Sequence, residues 1–254
     1  MVLVACFETF IGLYWVRMAK EDKLKVTLLS NTADPEQNVV AAIRQCYSSV
    51  GAQKLKEKTT EEVKKRLIKQ VIESGHTSTL EHATFTFAID GVSRVTEIHL
   101  IRHRIASYSI QSGRYVKRGD AAYRIPPKIK MMENKKLYKK YLEHLDKTQE
   151  LYNELVEAGI PAEDARYCQP QSIQVKIVMS MNARELLHFF SVRTCARAQW
   201  EVQEVARQML ALVKKVAPII FENAGAPCIS EKICDQGKLS CGIWKNIKGA
   251  KLKE

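Results

Sequence analysis

Residues 102–114 read Arg102-His103-Arg104-Ile105-Ala106-Ser107-Tyr108-Ser109-Ile110-Gln111-Ser112-Gly113-Arg114. This short and otherwise apolar stretch concentrates three guanidinium groups, one imidazole and three serine hydroxyls. A guanidinium can bind a phosphate, or a pair of carbonyl oxygens, through two parallel hydrogen bonds. Helical periodicity ends near Arg102, so we expect the run to leave the end of a helix as a loop. The composition predicts a binding site for a small phosphorylated molecule.

The first three side chains of this run cannot all contact the same ligand atom. Adjacent residues of a helix point about 100° apart. Arg102, His103 and Arg104 must therefore divide between two ligands, or between a ligand and the protein. Any one arginine could instead be an ordinary surface or ion-paired side chain, an alternative that the clustering of Arg102 and Arg114 disfavours.

Composition narrows the class of protein. At 254 residues the chain is long enough for one large domain with its own core. The net charge of +12 fits nucleic acid, an anionic membrane or phosphorylated ligands as partners. The basic clusters in residues 54–69, 128–140 and 245–253 lack the interleaved aromatic residues of a single-strand nucleic-acid platform. We interpret them as solvated surface, and expect neither a nucleic-acid nor a membrane partner.

The seven cysteines indicate a reducing compartment. Their odd number and scattered positions argue against a secreted disulfide scaffold, so we expect a cytoplasmic protein. Cys228, Cys234 and Cys241 lie closer together near the end of the chain. They lack the closely paired spacing of a structural zinc site, so we expect no metal.

The first residues of the chain are apolar but do not form a recognisable anchor. Glu8 and Arg17 interrupt the run, which is too short for a confident membrane span. It also lacks the positively charged leader of a signal peptide. We interpret residues 1–17 as an upstream extension or misassigned start, with Met18 as the true start. A helix docked on the body and a membrane anchor are the alternatives.

Strands and helices alternate along the body of the chain. The hydrophobic periods predict strands over residues 26–29, 85–89 and 174–181, and helices over 35–47, 60–75, 93–102, 134–158, 183–193 and 198–221. We therefore predict an α/β fold, a single domain over residues 18–224 with a mixed sheet and packed helices. Residues 225–254 are polar and basic, and we expect them to form a flexible tail.

Several motifs, taken in order, resemble those of the flavin-dependent thymidylate synthases. The Arg-His-Arg triplet at 102–104, followed by Ser112 and Arg114, is similar to the family signature. Other elements resemble the family upstream and downstream of it: Ser74-Gly75-His76, Leu80-Glu81-His82, Asn182-Ala183-Arg184, Arg193 and Ala198-Gln199-Trp200-Glu201. The resemblance extends from Lys25 to Asn223.

The resemblance implies an activity and an assembly. Members of the family make dTMP from dUMP, with methylenetetrahydrofolate as carbon donor and reduced FAD as hydride source. NADPH would reduce the flavin, and since the chain has no Rossmann glycine fingerprint we expect it to bind transiently at the flavin face. The resemblance also implies a homotetramer of the thymidylate synthase-complementing type, with each site shared between subunits.

The resemblance further assigns residues to ligands. Those for dUMP would be His99, Leu100, Ile101, Arg102, Ile110, Gln111, Ser112, Gly113, Arg114, Arg166 and Arg193. Those for the flavin would be Ser78, Arg102, His103, Arg104, Ile110, Asn182, Ala183, Arg184 and His188. The catalytic residues would be Arg193, Ser112 and His76. Arg193 would polarise the pyrimidine, because a fixed cation lowers the pKa of an acidic ring N–H.

Some positions depart from the usual residues of that family: His99, Ser109, Ile110, His188 and Arg197. The family usually has asparagine where Ser109 stands, and an acidic or amide residue where Ile110 stands. The polar contact expected from position 110 is therefore missing or rerouted through Gln111. Arg197 adds a positive charge near the expected flavin edge.

Two other functions stay open on the residues alone. A nucleic-acid-binding protein would be colourless and would bind with a steep salt dependence. A cysteine-dependent nucleotide methyltransferase would use Cys168 or Cys195 as nucleophile, without a flavin. A two-residue offset on a helix turns a side chain by about 200°. Cys195 would then face away from the target of Arg193, and Cys168 from that of Arg166, which disfavours both thiols.

Overall fold

The computed structural model describes residues 20–57 and 59–253. The interpretation of residues 1–17, and of Met18 as the start, lies outside these residues and stays a prediction. Within the described ranges, no helix is long and apolar enough to cross a membrane.

A four-stranded sheet with the order β1-β2-β4-β3 forms the centre of the fold. Its strands are β1 (Lys25–Asn31), β2 (Thr84–Ser93), β3 (Ser107–Ile110) and β4 (Gln174–Asn182). Each neighbouring pair is antiparallel, so the prediction of a mixed sheet is wrong for this sheet. The alternation of strands and helices in a sequence does not specify strand direction, because a long helical connection can return the chain either way.

Helices cover one side of this sheet. Their bounds are α1 (Pro35–Gln45), α2 (Ala52–Glu57), α3 (Glu61–Glu73), α4 (Arg94–Leu100), α5 (Pro127–Lys130), α6 (Lys135–Glu157), α7 (Ala162–Ala165), α8 (Ala183–Arg193), α9 (Trp200–Val216) and α10 (Pro227–Ser230). Short 3-10 helices span Thr77–His82, Arg166–Cys168, Gly237–Leu239 and Ile243–Asn246. Helix α9 packs on β1, β2 and α8, and α1 packs on α2, α3 and the 3-10 helix at 77–82.

Side-chain caps fix the starts of the main helices. Asp34, Thr60, Ser93, Asn134 and Asn182 each accept a hydrogen bond from the backbone N–H three residues further on. Such a bond satisfies one of the N–H groups that a helix start leaves unpaired. The predicted starts of these helices are confirmed. The end of α9 differs, since it lies at Val216 and not at residue 221, two residues before a proline that cannot continue a helix.

The covered face of the sheet supplies the core. Alternate residues of β2 and β4 are at most 2% exposed on this face: Phe85, Phe87, Ile89, Val175, Ile177, Met179 and Met181. They pack with buried side chains of α8 and α9 in one cluster. The opposite face is at least partly exposed, and we call it the outer sheet face: Thr86, Ala88, Ser107, Ser109, Val178 and Ser180.

The segment after residue 225, expected to be a flexible tail, has short regular elements. It contains α10, two 3-10 helices and a parallel pair of two-residue strands, β5 (Ile233–Cys234) and β6 (Lys251–Leu252). Elements this short give no hydrophobic period, so the sequence does not predict them. A domain boundary near residue 225 stays a prediction.

Candidate active site

The arginine-rich run is partly a strand. Helix α4 ends at Leu100, and Ser107–Ile110 forms β3, which pairs with β4. The prediction of a loop is therefore wrong for these four residues. Tyr108 and Ile110 pack against the core, while Ser107 and Ser109 are exposed. A strand of this length is too short to be recognised by alternation alone.

Arg193, the last residue of α8, is held in place by two hydrogen bonds. Its Nε donates to His103 Nε2 at 3.0 Å, and its Nη2 donates to the backbone oxygen of His99 at 3.2 Å. Nη1 has no hydrogen-bond partner among the residues that the structure describes. The guanidinium is therefore fixed in orientation and still has donors for a ligand.

His103 is buried between Glu185 and Arg193. Its Nδ1 lies 3.0 Å from Glu185 Oε1, and its ring meets that of Phe189 edge-on at 4.9 Å between centroids. Burial lowers the pKa of His103, the hydrogen bond to Glu185 opposes this shift, and the charge of Arg193 adds to it. A neutral imidazole with its proton on Nδ1 satisfies both bonds, donating to Glu185 and accepting from Arg193.

This arrangement changes the role expected of His103. The family resemblance implies that His103 contacts a flavin, but both ring nitrogens are engaged by the protein, so neither is free to hydrogen-bond one. The residue instead joins Glu185 to Arg193 in a continuous chain of hydrogen bonds. A side chain that faces inward in this way cannot be identified from the motif, because the packing of α8 determines it.

The same region contains a tight group of potential metal ligands. Ligand atoms of His103, Glu185 and His188 lie within 4.8 Å of one another. The hydrogen-bond chain already accounts for His103 and Glu185, and the adjacent guanidinium of Arg193 disfavours a second cation. We therefore interpret the group as a hydrogen-bonded chain.

A second cationic group surrounds Gly113. A Cβ at Gly113 would lie 3.2 Å from Arg166 Cδ and 3.6 Å from Arg118 Nη2. Arg118 is only 9% exposed, and its Nη2 donates to the Gln111 carbonyl at 3.2 Å. Its Nε is buried and has no hydrogen-bond partner among residues 20–57 and 59–253. We call Gly113, Arg118 and Arg166 the arginine cradle, a cationic group suited to an anion.

Arg118 was missed by the sequence analysis. Burial lowers its pKa, as do the charges of Arg94 and Arg166, yet a guanidinium stays protonated at neutral pH. Buried, positively charged and incompletely hydrogen-bonded, Arg118 is suited to binding an anion. Its position beyond the motif, among exposed polar residues, gives no sequence signal for burial.

Arg114 and Ser112 have different surroundings. Arg114 Nε pairs with Glu163 Oε2 at 2.6 Å, and its guanidinium lies over the ring of Tyr115. Arg166 Nε donates to the backbone oxygen of Glu163 at 3.0 Å, so one residue positions both arginines. Ser112 Oγ accepts from the Arg114 N–H at 3.2 Å and stays at the edge of the cradle.

Some of the residues expected to bind the flavin line one large cavity. His76, Ser78 and Arg184 line a cavity of about 1150 Å³ between α1, α3 and the 3-10 helix at 77–82. Arg184 pairs with Glu81 at 2.5 Å and also lines a neighbouring cavity of about 720 Å³ that contains His188. Arg184 therefore lines both cavities.

Four other residues expected to bind ligands have side chains that pack in the core or cap a helix. The side chains of Leu100 and Ala183 are 0% exposed, and the Ala183 N–H donates to the Ala83 carbonyl. Ile110 packs against the core, and the Asn182 side chain caps α8. The side chains of Leu100 and Ala183 are consequently unavailable to a ligand, which corrects the expectation for these two.

Arg102, Arg104, Ile101 and His99 lie near the end of α4. The first three are exposed, and His99 is half-buried with an unpartnered Nδ1. Burial lowers the pKa of His99, as do the charges of Arg193 and Arg102. Neither Arg102 nor Arg104 lines the two cavities that contain Arg184. Within one chain the expected flavin residues are thus divided between separate surfaces.

Known proteins share both the sequence and the fold of this chain. Residues 27–219 match the family described as "Thymidylate synthase complementing protein". The flavin-dependent thymidylate synthase of Geobacter sulfurreducens is 44% identical over 226 residues, which cover 89% of this chain and 97% of that protein. The chain belongs to the flavin-dependent thymidylate synthases. The corresponding protein of Clostridium tetani is 40% identical, covering 89% of this chain and 96% of its own.

A solved structure resembles the fold of this flavin-dependent thymidylate synthase. The crystal structure of the UMP/dUMP methylase PolB from Streptomyces cacaoi, bound with 5-Br dUMP, matches with a TM-score of 0.72 and 26% sequence identity. The match covers 81% of this chain and 96% of that chain. The family resemblance carried by the motifs is confirmed.

The two cysteines considered as nucleophiles have unsuitable positions. Burial raises the pKa of Cys168, and its thiol donates to the Ala165 carbonyl at 3.2 Å. Cys195 lines a cavity whose walls do not include Arg193. A nucleophilic thiol needs a lowered pKa, so the raised pKa disfavours Cys168. Cys195 is disfavoured because it shares no cavity wall with Arg193.

The lowered pKa values at the site predict a pH dependence of stability. The pKa values of His103 and His99 are lower in the folded protein than the ordinary value of about 6.5. At a pH between the lowered values and about 6.5, the unfolded chain therefore binds more protons than the folded protein. The free energy of unfolding should be highest above about pH 6.5 and fall on acidification through the lowered pKa values. Urea denaturation across this range measures it.

A matched pair of variants tests whether His103 causes this change of the free energy of unfolding with pH. His103→Gln can still donate to Glu185 and accept from Arg193 but cannot titrate, so its stability should change less with pH. His144→Gln, on an exposed position of α6, should keep the wild-type slope. Equal slopes in wild type and His103→Gln would contradict the assignment to His103.

Proposed function

We propose that this chain catalyses the reductive methylation of dUMP to dTMP with a bound flavin. The observation that carries the proposal is the fixed guanidinium of Arg193, held by His103 and the His99 carbonyl in a chain of the flavin-dependent thymidylate synthase family. We infer that the flavin is FAD, that NADPH reduces it, and that methylenetetrahydrofolate donates the carbon.

The arginine cradle is the proposed site of the dUMP phosphate. Arg118 and Arg166 supply two cations, and Gly113, which has no side chain, lets the Arg166 side chain lie close to the backbone beside Arg118. The unpartnered Nε of Arg118 is a donor that a phosphate oxygen would satisfy. Ser112 and Gln111 would contact the nucleotide from the edge of the cradle.

Arg193 is the proposed catalytic residue for the pyrimidine ring. Its free donors would hydrogen-bond a ring oxygen and stabilise the ionised ring, which makes the carbon that receives the methyl group more nucleophilic. The neutral His103 accepts from Nε and so prevents the guanidinium from rotating. Glu185 keeps the His103 proton on Nδ1, away from Arg193.

The residues around the large cavity fit a flavin. A volume of about 1150 Å³ accommodates a dinucleotide cofactor, and Arg184 provides a cation for its phosphates. We propose that His76, Ser78 and Arg184 bind the flavin from this side, with His188 next to them. The bound flavin supplies the hydride, and the protein supplies alignment and charge.

A homotetramer would bring the separated surfaces together. Arg102 and Arg104 are exposed, and the neighbouring Ile101 and Ile105 are 42% and 69% exposed. The six residues of the outer sheet face have uncharged side chains, and each stays at least partly exposed among the residues that the structure describes. Both observations support an assembly in which the run 101–105 of one subunit meets the large cavity of another.

The absorption spectrum of the purified protein tests the proposed cofactor. We expect an oxidised-flavin spectrum that NADPH bleaches in the absence of air. Arg184→Ala should retain less flavin, whereas Lys139→Ala, on the exposed side of α6, should retain the wild-type amount. A colourless protein that does not take up added FAD would contradict the proposal.

Light scattering combined with flavin fluorescence tests the assembly. We expect a tetramer, and dilution to smaller species should release the flavin because its ligands come from more than one chain. A monomer that keeps both its flavin and its activity would rule out shared sites.

A further inference from the structure

A cavity whose walls do not include Arg193 is lined by cysteines. It has a volume of about 410 Å³ and lies between the loop after α8, the later part of α9 and the segment after residue 225. Four of the six cysteines that the structure describes line it: Cys195, Cys228, Cys234 and Cys241. All four are free thiols in the structure. Two distant parts of the chain therefore direct their thiols into one space.

The four thiols belong to the wall of one cavity of about 410 Å³. Four such groups in one cavity repel each other as thiolates unless a cation lies between them. A bound soft cation would remove this repulsion, because thiolates are the preferred ligands of such metals.

The cavity also contains compensating positive charge. Arg207 and Lys214, both on α9, line its wall together with the cysteines. Four thiolates around one Zn²⁺ carry a net charge of about −2, which nearby cations stabilise. Cys241 is exposed and gives a bound ion a path from solvent.

We propose that Cys195, Cys228, Cys234 and Cys241 bind one Zn²⁺ in a tetrahedral structural site. Four protein ligands leave no open position, as in zinc sites that stabilise a fold. Tetrahedral ligation places sulfurs about 3.8 Å apart, from Zn–S distances near 2.3 Å. No three of these four sulfurs, all among the described residues, lie within 4.8 Å of one another. Binding of the ion would therefore require the four sulfurs to move closer together.

The segment that contains three of these cysteines has little core of its own. Residues 227–252 form only short elements, α10, β5 and β6 among them, and contribute little to the main core. Small units with little core are commonly held by a metal or by disulfides. The zinc would join this segment to Cys195, whose carbonyl accepts a 2.7 Å hydrogen bond from Gln203 of α9.

Spacing along the chain does not indicate this grouping of cysteines. Cys195 lies far from the other three cysteines in the chain, and those three are not closely paired. Only the fold brings the loop after α8 next to the C-terminal segment. The expectation of no metal here rested on spacing along the chain alone.

Metal analysis of the unmodified protein, purified without chelators, tests the site independently of activity. We expect about one zinc per chain in the wild type. Cys228→Ser and Cys241→Ser should lose the zinc, and Cys46→Ser, an exposed thiol outside the cavity, should retain it. Cobalt in place of zinc should give the visible bands of tetrahedral thiolate ligation.

A thiol titration on the wild type makes the result independent of whether the variants fold. We expect these four thiols to resist modification until a chelator removes the zinc, and then to react together. Three results would each overturn the proposal: protein that neither contains nor takes up zinc, iron with acid-labile sulfide in its place, or disulfides among the four cysteines.

Discussion

Arg193→Ala is expected to lower the rate of dTMP formation about 100-fold, the order of the effect when one preorganised donor is removed from a catalytic site. The side chain is fixed by two protein hydrogen bonds, so its remaining donors meet a ligand without further ordering. Flavin binding should persist, because Arg193 lies outside the large cavity. Tritium release from dUMP labelled at the reacting carbon measures the rate.

Two further variants sharpen this result. Arg193→Lys keeps the charge but cannot form both anchoring bonds in the same geometry, so it should recover only part of the activity. Cys168→Ala should retain most of the activity, since its half-buried thiol has a raised pKa and no role in the proposed chemistry. Near-wild-type activity of Arg193→Ala, or an inactive Cys168→Ala that still binds flavin and dUMP, would contradict the mechanism.

Glu201→Ala is expected to destabilise the fold by about 3–5 kcal/mol, the usual cost of removing one partner from a buried charged network. Glu201 is 1% exposed. Its carboxylate accepts from the Ser93 N–H and hydroxyl and from the Thr96 hydroxyl, at 2.9, 2.5 and 2.8 Å. Arg124 Nε lies 3.5 Å away. Without the carboxylate these buried donors would have no acceptor, and urea denaturation measures the loss.

The neighbouring Glu204→Ala is the control. Glu204 lies on the same helix, and its carboxylate accepts a hydrogen bond from Gln208 one turn further on. Its removal should cost less than about 1 kcal/mol. Similar losses for the two variants would show that the Glu201 network does not stabilise the start of α4.

Local signals made part of the fold predictable. A helix start is determined by a few neighbouring residues, so Asp34, Thr60 and Ser93 could be recognised as caps from the sequence. The central strands β2 and β4 were also predictable, because alternation over nine or ten residues is a strong signal. Strand direction and β3 were not, since neither depends on local sequence alone.

The candidate site was predictable to the extent that it lies in motifs. Arg193 and the glycine of the cradle, Gly113, came from the family resemblance. The burial of His103 and Arg118 depends on residues far along the chain, such as Phe189 and Tyr152, whose hydroxyl accepts from the Arg118 N–H. No pattern around either residue could indicate that packing.

The position of β4 beside β2 also affects how the chain folds. Phe85 pairs with Met181, so the centre of the sheet forms between segments separated by nearly half of the domain. Closing so long a loop slows folding, and topologies rich in such pairings fold in about milliseconds to seconds. During synthesis β2 leaves the ribosome before β4 does. Until β4 pairs with it, β2 has an exposed apolar face and an unpaired edge that other chains can bind. The exposed apolar face and the unpaired edge of β2 make the incomplete chain prone to aggregation until β4 pairs with it.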